Sequence, residues 1–278
     1  MNDTDTDTDN ETGNDTRSTA MTTFTTPGPI AATVQVAGAL VRVGASDRTD
    51  TVVRVAPVNT ASKRDMKVAE KTKVEFADGR LTVKTTTSGG RSGSVAISID
   101  LPAGSSLVAD VAHSSVQAVG PLGECELSMG SGRIRLDRVG ALRANAAGGE
   151  IEVGHIAGRA TVEAGSADVR IGTASADLDL SNGSGGFDID RADGSVTART
   201  GDGAIRIGRL TRGRAELLNR SGNIEIGIGE GSAAWVNARS DKGAVRNSVP
   251  AQEHADDNEV TVHARTRYGN VIVERAAN

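Results

Sequence analysis

One cysteine in 278 residues excludes a disulfide framework and any structural zinc site built on thiolates. Five aromatic residues, three Phe with one Tyr and one Trp, leave little with which to stack bases or sugars. No apolar run approaches the roughly 20 residues that a membrane-spanning helix needs. Charge of one sign is also missing from most of the chain. The formal net of −5 belongs to residues 1–20, where Asp3, Asp5, Asp7, Asp9, Glu11 and Asp15 face a single Arg17. The remaining 258 residues hold thirty acids and thirty bases, so no long-range field steers them to nucleic acid or anionic lipid.

What is present begins with a low-complexity acidic leader, residues 1–23, too polar to offset the entropy of ordering it. It has neither the basic start nor the apolar stretch of a secretory signal, so a cytoplasmic location is the expectation. Met21, which opens MTTFTTPGPI, reads as an alternative start.

From residue 113 one phrase recurs: a small residue, any residue, an aliphatic, a polar residue, an aliphatic. Its first aliphatic position is Val116, Ile134, Ile151, Val169, Phe187, Ile205, Ile224, Val245 and Val271. The spacing is close to 18 and loosens to 21 and 26 only at the last two steps. A second alternating strand follows each phrase, for example RATVE (159–163) and ADLDL (176–180). Between the two lies a lone apolar residue near a glycine, as in Val139-Gly140 and Leu210 with Gly213. Each unit therefore reads strand, corner, strand, corner.

A meander or a coil stacked on itself would both fit this rhythm. The outward residue between the paired aliphatics decides for the coil. It is Arg135, Glu152, Arg170, Asp188, Arg206, Glu225 and Arg246 in turn, always charged and alternating in sign. In a parallel in-register stack these side chains are neighbours about 4.8 Å apart. In a meander the alternation has no cause. An exposed cross-strand pair contributes only about 0.2–1 kcal/mol, enough to penalise a register slip but not to hold a fold.

Ahead of the repeats, residues 24–104 read as a β-rich cap with opening layers. Strands are predicted at 32–37, 39–44, 51–56, 74–76, 80–85 and 95–102. One helix is predicted over 62–71, with Ser62 as N-cap and with Met66 and Ala69 on one face. Residues 250–259 read as an acidic loop before two final strands. The expected fold is all-β: a right-handed parallel β-solenoid-like stack of ~18-residue coils over 105–278, behind that cap, folding as one body with it.

The opening TPGPI, the hinge IDLPAGSSL (99–107) and the Gly-Ser-punctuated short strands resemble a bacterial family common in actinobacteria. It is the β-strand-repeat "putative adhesin" domain of unknown function, and the likeness spans about residues 24–278. The resemblance implies a solenoid-like β fold. It carries no catalytic signature and transfers no binding residues.

Candidate sites are few. NGSGGFDID (182–190) is similar to one calcium repeat of a β-roll, but such repeats complete their oxygen shells only in tandem. GIGEG (227–231) lacks the lysine and helix of a phosphate loop. His113, His155, His254 and His263 have no partner at metal-ligand spacing. Cys125 lies between Glu124 and Glu126, whose charge raises a thiol pKa. Acids suited to glycan hydrolysis must converge in a groove, and Glu152, Asp188 and Glu225 are each set between arginines, which leaves Asp168 and Asp190 unassigned. Trp235 points outward on a face shared with Arg143, Thr161, Asp179, Thr197 and Glu216. It either anchors a partner or covers the end of the solenoid.

The expectation is a non-enzymatic scaffold or interaction module that meets a protein partner or itself. It needs no cofactor, metal, nucleic acid or membrane span. A polysaccharide-active enzyme and an exported surface adhesin are the alternatives.

Overall fold

The computed structural model describes residues 20–85, 93–250 and 259–276. Period-2 alternation with aliphatics on one face produces strands throughout, and the inward rows form one continuous core. In the middle of the chain the unit is regular. Strands β9 (Ser114–Met129), β10 (Gly132–Ile156) and β11 (Ala160–Ala174) run on round their corners. They are followed by β12 (Leu178–Ser184), β13 (Phe187–Ala192), β14 (Val196–Asp202), β15 (Ile205–Leu210), β16 (Gly213–Ser221) and β17 (Ile224–Ile228).

Every pairing among these strands is parallel. Val169 meets Phe187, Phe187 meets Ile205 and Ile205 meets Ile224 on one ladder. Leu178 meets Val196 and Val196 meets Ala215 on a second. The lone apolar residue between the two strands makes a third, short ladder, in which Ile156 meets Ala174, Ala174 meets Ala192 and Ala192 meets Leu210. All four of these side chains are fully buried. A lone coil buries too little to order itself; only stacked neighbours supply the missing hydrogen bonds and burial.

The opening layers belong to the same stack. Strand β2 (Ala31–Ala37) lies parallel between β6 (Arg80–Lys84) and β8 (Ser106–Ala112). Strand β3 (Ala39–Ser46) lies parallel between β7 (Val95–Pro102) and β9. Beyond them the chain closes its own end with antiparallel strands. These are β4 (Asp50–Pro57) on β7, β1 (Ala20–Thr25) on β4, and β5 (Lys73–Ala77) on β6.

Helix α1 (Lys63–Lys71) starts at Ser62, whose hydroxyl accepts from the Asp65 N–H at 3.3 Å. Its buried residues are Asp65 and Val68, and half-buried Ala69 packs against the core, whereas Met66, expected on the same face as Ala69, is exposed. Asp65 is inward because its carboxylate is consumed by local donors: Ser94 N–H at 3.1 Å, Asn59 N–H at 3.1 Å and Ser62 Oγ–H at 3.0 Å. Those bonds hold its carboxyl below the ordinary carboxylate range despite partial burial. The leader also ends earlier than expected, since residues 20–23 pair with β4. Residues 1–19, and most of the acidic loop predicted at 250–259, lie outside the described residues.

At the C-terminal end the order of the coils departs from the order of the sequence. The remaining strands are β18 (Ala233–Lys242), β19 (Val245–Asn247), β20 (Glu259–Tyr268) and β21 (Val271–Arg275). Strand β20 pairs with both β16 and β18, and β21 pairs with both β17 and β19. The last coil in sequence is thus the next-to-last in space, inserted between two coils made before it. The N-terminal end shows the mirrored arrangement, with β2 and β3 enclosed by later strands on both sides.

Candidate interaction surface

The charged ladder runs as the alternation requires over most of its length. Glu152 is the register partner of Arg170, Arg170 of Asp188, Asp188 of Arg206 and Arg206 of Glu225. Direct contact forms at two steps: Arg135 Nη2 lies 2.6 Å from Glu152 Oε2, and Arg206 Nη1 lies 2.6 Å from Asp188 Oδ1. Arg206 also reaches Asp190 at 3.4 Å, and the hydrogen bond it donates to Asp188 raises its already high pKa. The side chains of the two close pairs are a third to a half exposed and Asp190 is more so, so each contact is a modest one.

Arg246 does not complete the row beside Glu225. Ile272 of the inserted β21 stands between them, paired in register with each. Nothing in the local alternation marks this, because Arg246 continues the sign pattern. The signal was the loosened spacing, 21 and then 26, at the last two repeats.

A second ladder, missed in the sequence, is polar and buried. Asn182, Thr200, Asn219 and Thr266 follow one another in register, with Ser240 beyond Thr266. Each donates to a corner carbonyl of the coil beneath. Asn182 Nδ2 reaches Ala167 O at 2.6 Å, Thr200 Oγ1 reaches Gly185 O at 3.0 Å and Asn219 Nδ2 reaches Gly203 O at 2.5 Å. Thr266 Oγ1 reaches Gly222 O at 3.2 Å and Ser240 Oγ reaches Gly269 O at 2.7 Å. These side chains close off carbonyls that the corners turn away from the sheet. In earlier coils the same place is held by Met129, Ala146 and Ala164.

That ladder absorbs the calcium-like string at 182–190, since Asn182 is spent on the corner and Asp188 on Arg206. No group of three or more His, Cys, Asp or Glu is placed to hold a metal ion among the described residues. GIGEG at 227–231 is part of a corner closed by Arg275, whose Nη1 donates to Gly229 O at 2.9 Å and Ser232 O at 2.8 Å. Asp168 accepts from the Gly186 N–H at 3.1 Å. His113 Nδ1 lies 2.7 Å from Ser131 Oγ, His155 pairs in register with Thr173, and His254 falls outside the described residues. Burial, with the charge of Glu124 added, pushes the Cys125 thiol up to about 12, the state of an inert packing residue.

Trp235 remains. It is 53% exposed on β18, the outermost strand of its ladder, with its ring 5.1 Å from that of His263. Its column on that face follows from the register. The row Arg143, Thr161, Asp179, Thr197, Glu216 continues through His263 to Asn237. Trp235 sits beside that row, level with Thr261 and Arg214. At the other end of the β18–β20 pairing, exposed Tyr268 lies under Lys242 Nζ and the Arg267 guanidinium, 5.5 and 5.2 Å from the ring centre.

A parallel stack of coils with in-register ladders of aliphatic and of alternately charged side chains defines a β-solenoid-like repeat protein. The chain belongs to the Toastrack DUF4097 family, whose model matches residues 32–275. No curated protein matches it. Among solved structures it is similar to a putative adhesin from Parabacteroides distasonis ATCC 8503. The two share 12% identity over 91% of this chain and 96% of that one, with a TM-score of 0.54. A putative adhesin from Bacteroides fragilis NCTC 9343 has 12% identity over 93% and 97% of the two chains, at a TM-score of 0.46. Likeness at that identity concerns the fold. The chain is a β-repeat protein of a family whose function is not established.

Proposed function

We propose that this chain is a non-enzymatic interaction scaffold that binds a protein partner through its C-terminal end, with Trp235 as the anchor. The observation carrying this reading is the chain's single tryptophan, 53% exposed on the strand that ends the stack. A large aromatic on a rigid strand contributes contact area at low entropic cost, which is why such residues dominate binding hot spots. Support for a non-enzymatic role comes from the acids. Glu152 and Asp188 are paired to arginines at 2.6 Å, and Asp168 to a backbone N–H, so they are ill placed as general acids.

The test is site-specific photo-crosslinking in cells, with a photoreactive phenylalanine analogue in place of Trp235. A protein adduct is expected there and not when the analogue replaces exposed Asp179 in the middle of the stack. No adduct at position 235 sinks the reading.

A further inference from the structure

The two ends of the stack are finished differently. At the N-terminal end, antiparallel β1, β4 and β5 close the ladders and α1 buries Val68. The edge strands there are short, six residues in β1 and five in β5. At the C-terminal end β18 presents ten consecutive residues, paired among the described residues only to β20. It has no proline and no register shift, and its three charges, Arg239, Asp241 and Lys242, crowd one end. An edge that long and regular is a template for another strand.

The core behind it is also unfinished. Inward Ala234, Val236 and Ala238 are only half-buried, whereas their register partners Val260, Val262 and Ala264 are 0% exposed. Next to them Val245 is 45% exposed.

We propose that a second copy of this chain covers this edge, joined β18 to β18 in antiparallel fashion about a two-fold axis at Asn237. The proposal rests on the reading of the C-terminal end as the binding end and names its occupant. A two-fold contact between identical edges is antiparallel and closes on itself. Centring it on Asn237 sets Trp235 against the partner's Arg239, a cation–π pair made twice. It sets Val236 against the partner's Ala238, so the half-buried inward row of each copy is continued by the other. Asp241 falls opposite the partner's Ala233, and no like charges oppose. A centre at Ala238 would instead place Val236 against the partner's Ser240 and Trp235 against the partner's Asp241, losing both matches. Self-complementarity of charge and apolarity in one register is what favours a second copy over a foreign strand.

The experiment uses the full chain and sedimentation equilibrium up to about 100 µM, with two variants at exposed Asn237. A dimer is expected. Asn237→Asp opposes two carboxylates on the axis and should weaken it about tenfold or more. Asn237→Cys should form a disulfide with its own copy under mild oxidation, while Asp179→Cys should not. A chain that stays monomeric at that concentration overturns the proposal. So does a dimer that Asn237→Asp leaves unchanged and Asn237→Cys fails to link. A monomer that still gives a foreign adduct from position 235 in cells overturns self-pairing alone, and absence of both removes the interaction reading as well.

Discussion

Val271 and Val245 are register partners on adjacent parallel strands, yet the first is 0% exposed and the second 45%. At this position the inserted coil carries the core and the coil outside it does not. Val271→Ala should therefore cost roughly 2 kcal/mol, the usual penalty for a buried methyl pair with a partial cavity. Val245→Ala should change stability by less than about 0.5 kcal/mol at concentrations where the chain is monomeric. Urea unfolding of the two variants checks the difference; equal losses would contradict the coil order.

Gly203 sits at a corner with φ of +149°, where a Cβ would fall on the Gly185 carbonyl of the coil beneath. Gly203→Ala should destabilise by about 3 kcal/mol, because both the backbone angle and the close stacking resist it. Gly28, with open space around its Cβ position and no such angle, should accept alanine within about 0.5 kcal/mol. Thermal melts of the pair measure this.

The Asp65 carboxyl is held below its ordinary value chiefly by the Ser94 N–H. Folding thus favours its charged form. The stability it contributes is complete above the unfolded value near 3.9, and is lost as pH falls through the lower folded value. Acid titration of the melting temperature should show this drop below about pH 4, and Asp65→Asn should flatten it while lowering stability at neutral pH. An unchanged acid limb in the variant would sink the assignment.

Asp188→Lys would set three cations in a row, Arg170, Lys and Arg206, on adjacent strands. About 1 kcal/mol should be lost at low salt, discounted for exposure, and part of it recovered in about 1 M salt. Denaturant midpoints at the two ionic strengths provide the measurement.

The sequence made the coil legible because three signals agreed: an 18-residue return, period-2 strands and a sign alternation that only parallel neighbours explain. The lone apolar residue between strands was visible too, as Ile156 and Leu210, and became the short third ladder. Two things were hidden. The buried ladder of Asn182, Thr200, Asn219 and Thr266 mixes amide and hydroxyl side chains, so it reads as ordinary corner polarity until stacking aligns it. The swapped order at the C-terminal end was masked because Arg246 keeps the local pattern, while long-range pairing placed Ile272 beside Glu225. Of the surface, outward Trp235 was legible, whereas its column depends on β20 lying between β16 and β18. Asp65 shows the reverse case, where a charged residue faces inward because three local donors wait for it.

The interleaved C-terminal coil has a consequence for synthesis. A ribosome releases β18 and β19 before the segments that must lie between them and β16 and β17. A nascent chain stopped near residue 250 therefore has a final coil with the wrong neighbour within reach, and vectorial zipping from the N-terminus stalls there. Only when residues 259–275 have left the exit tunnel can that turn be threaded into its slot.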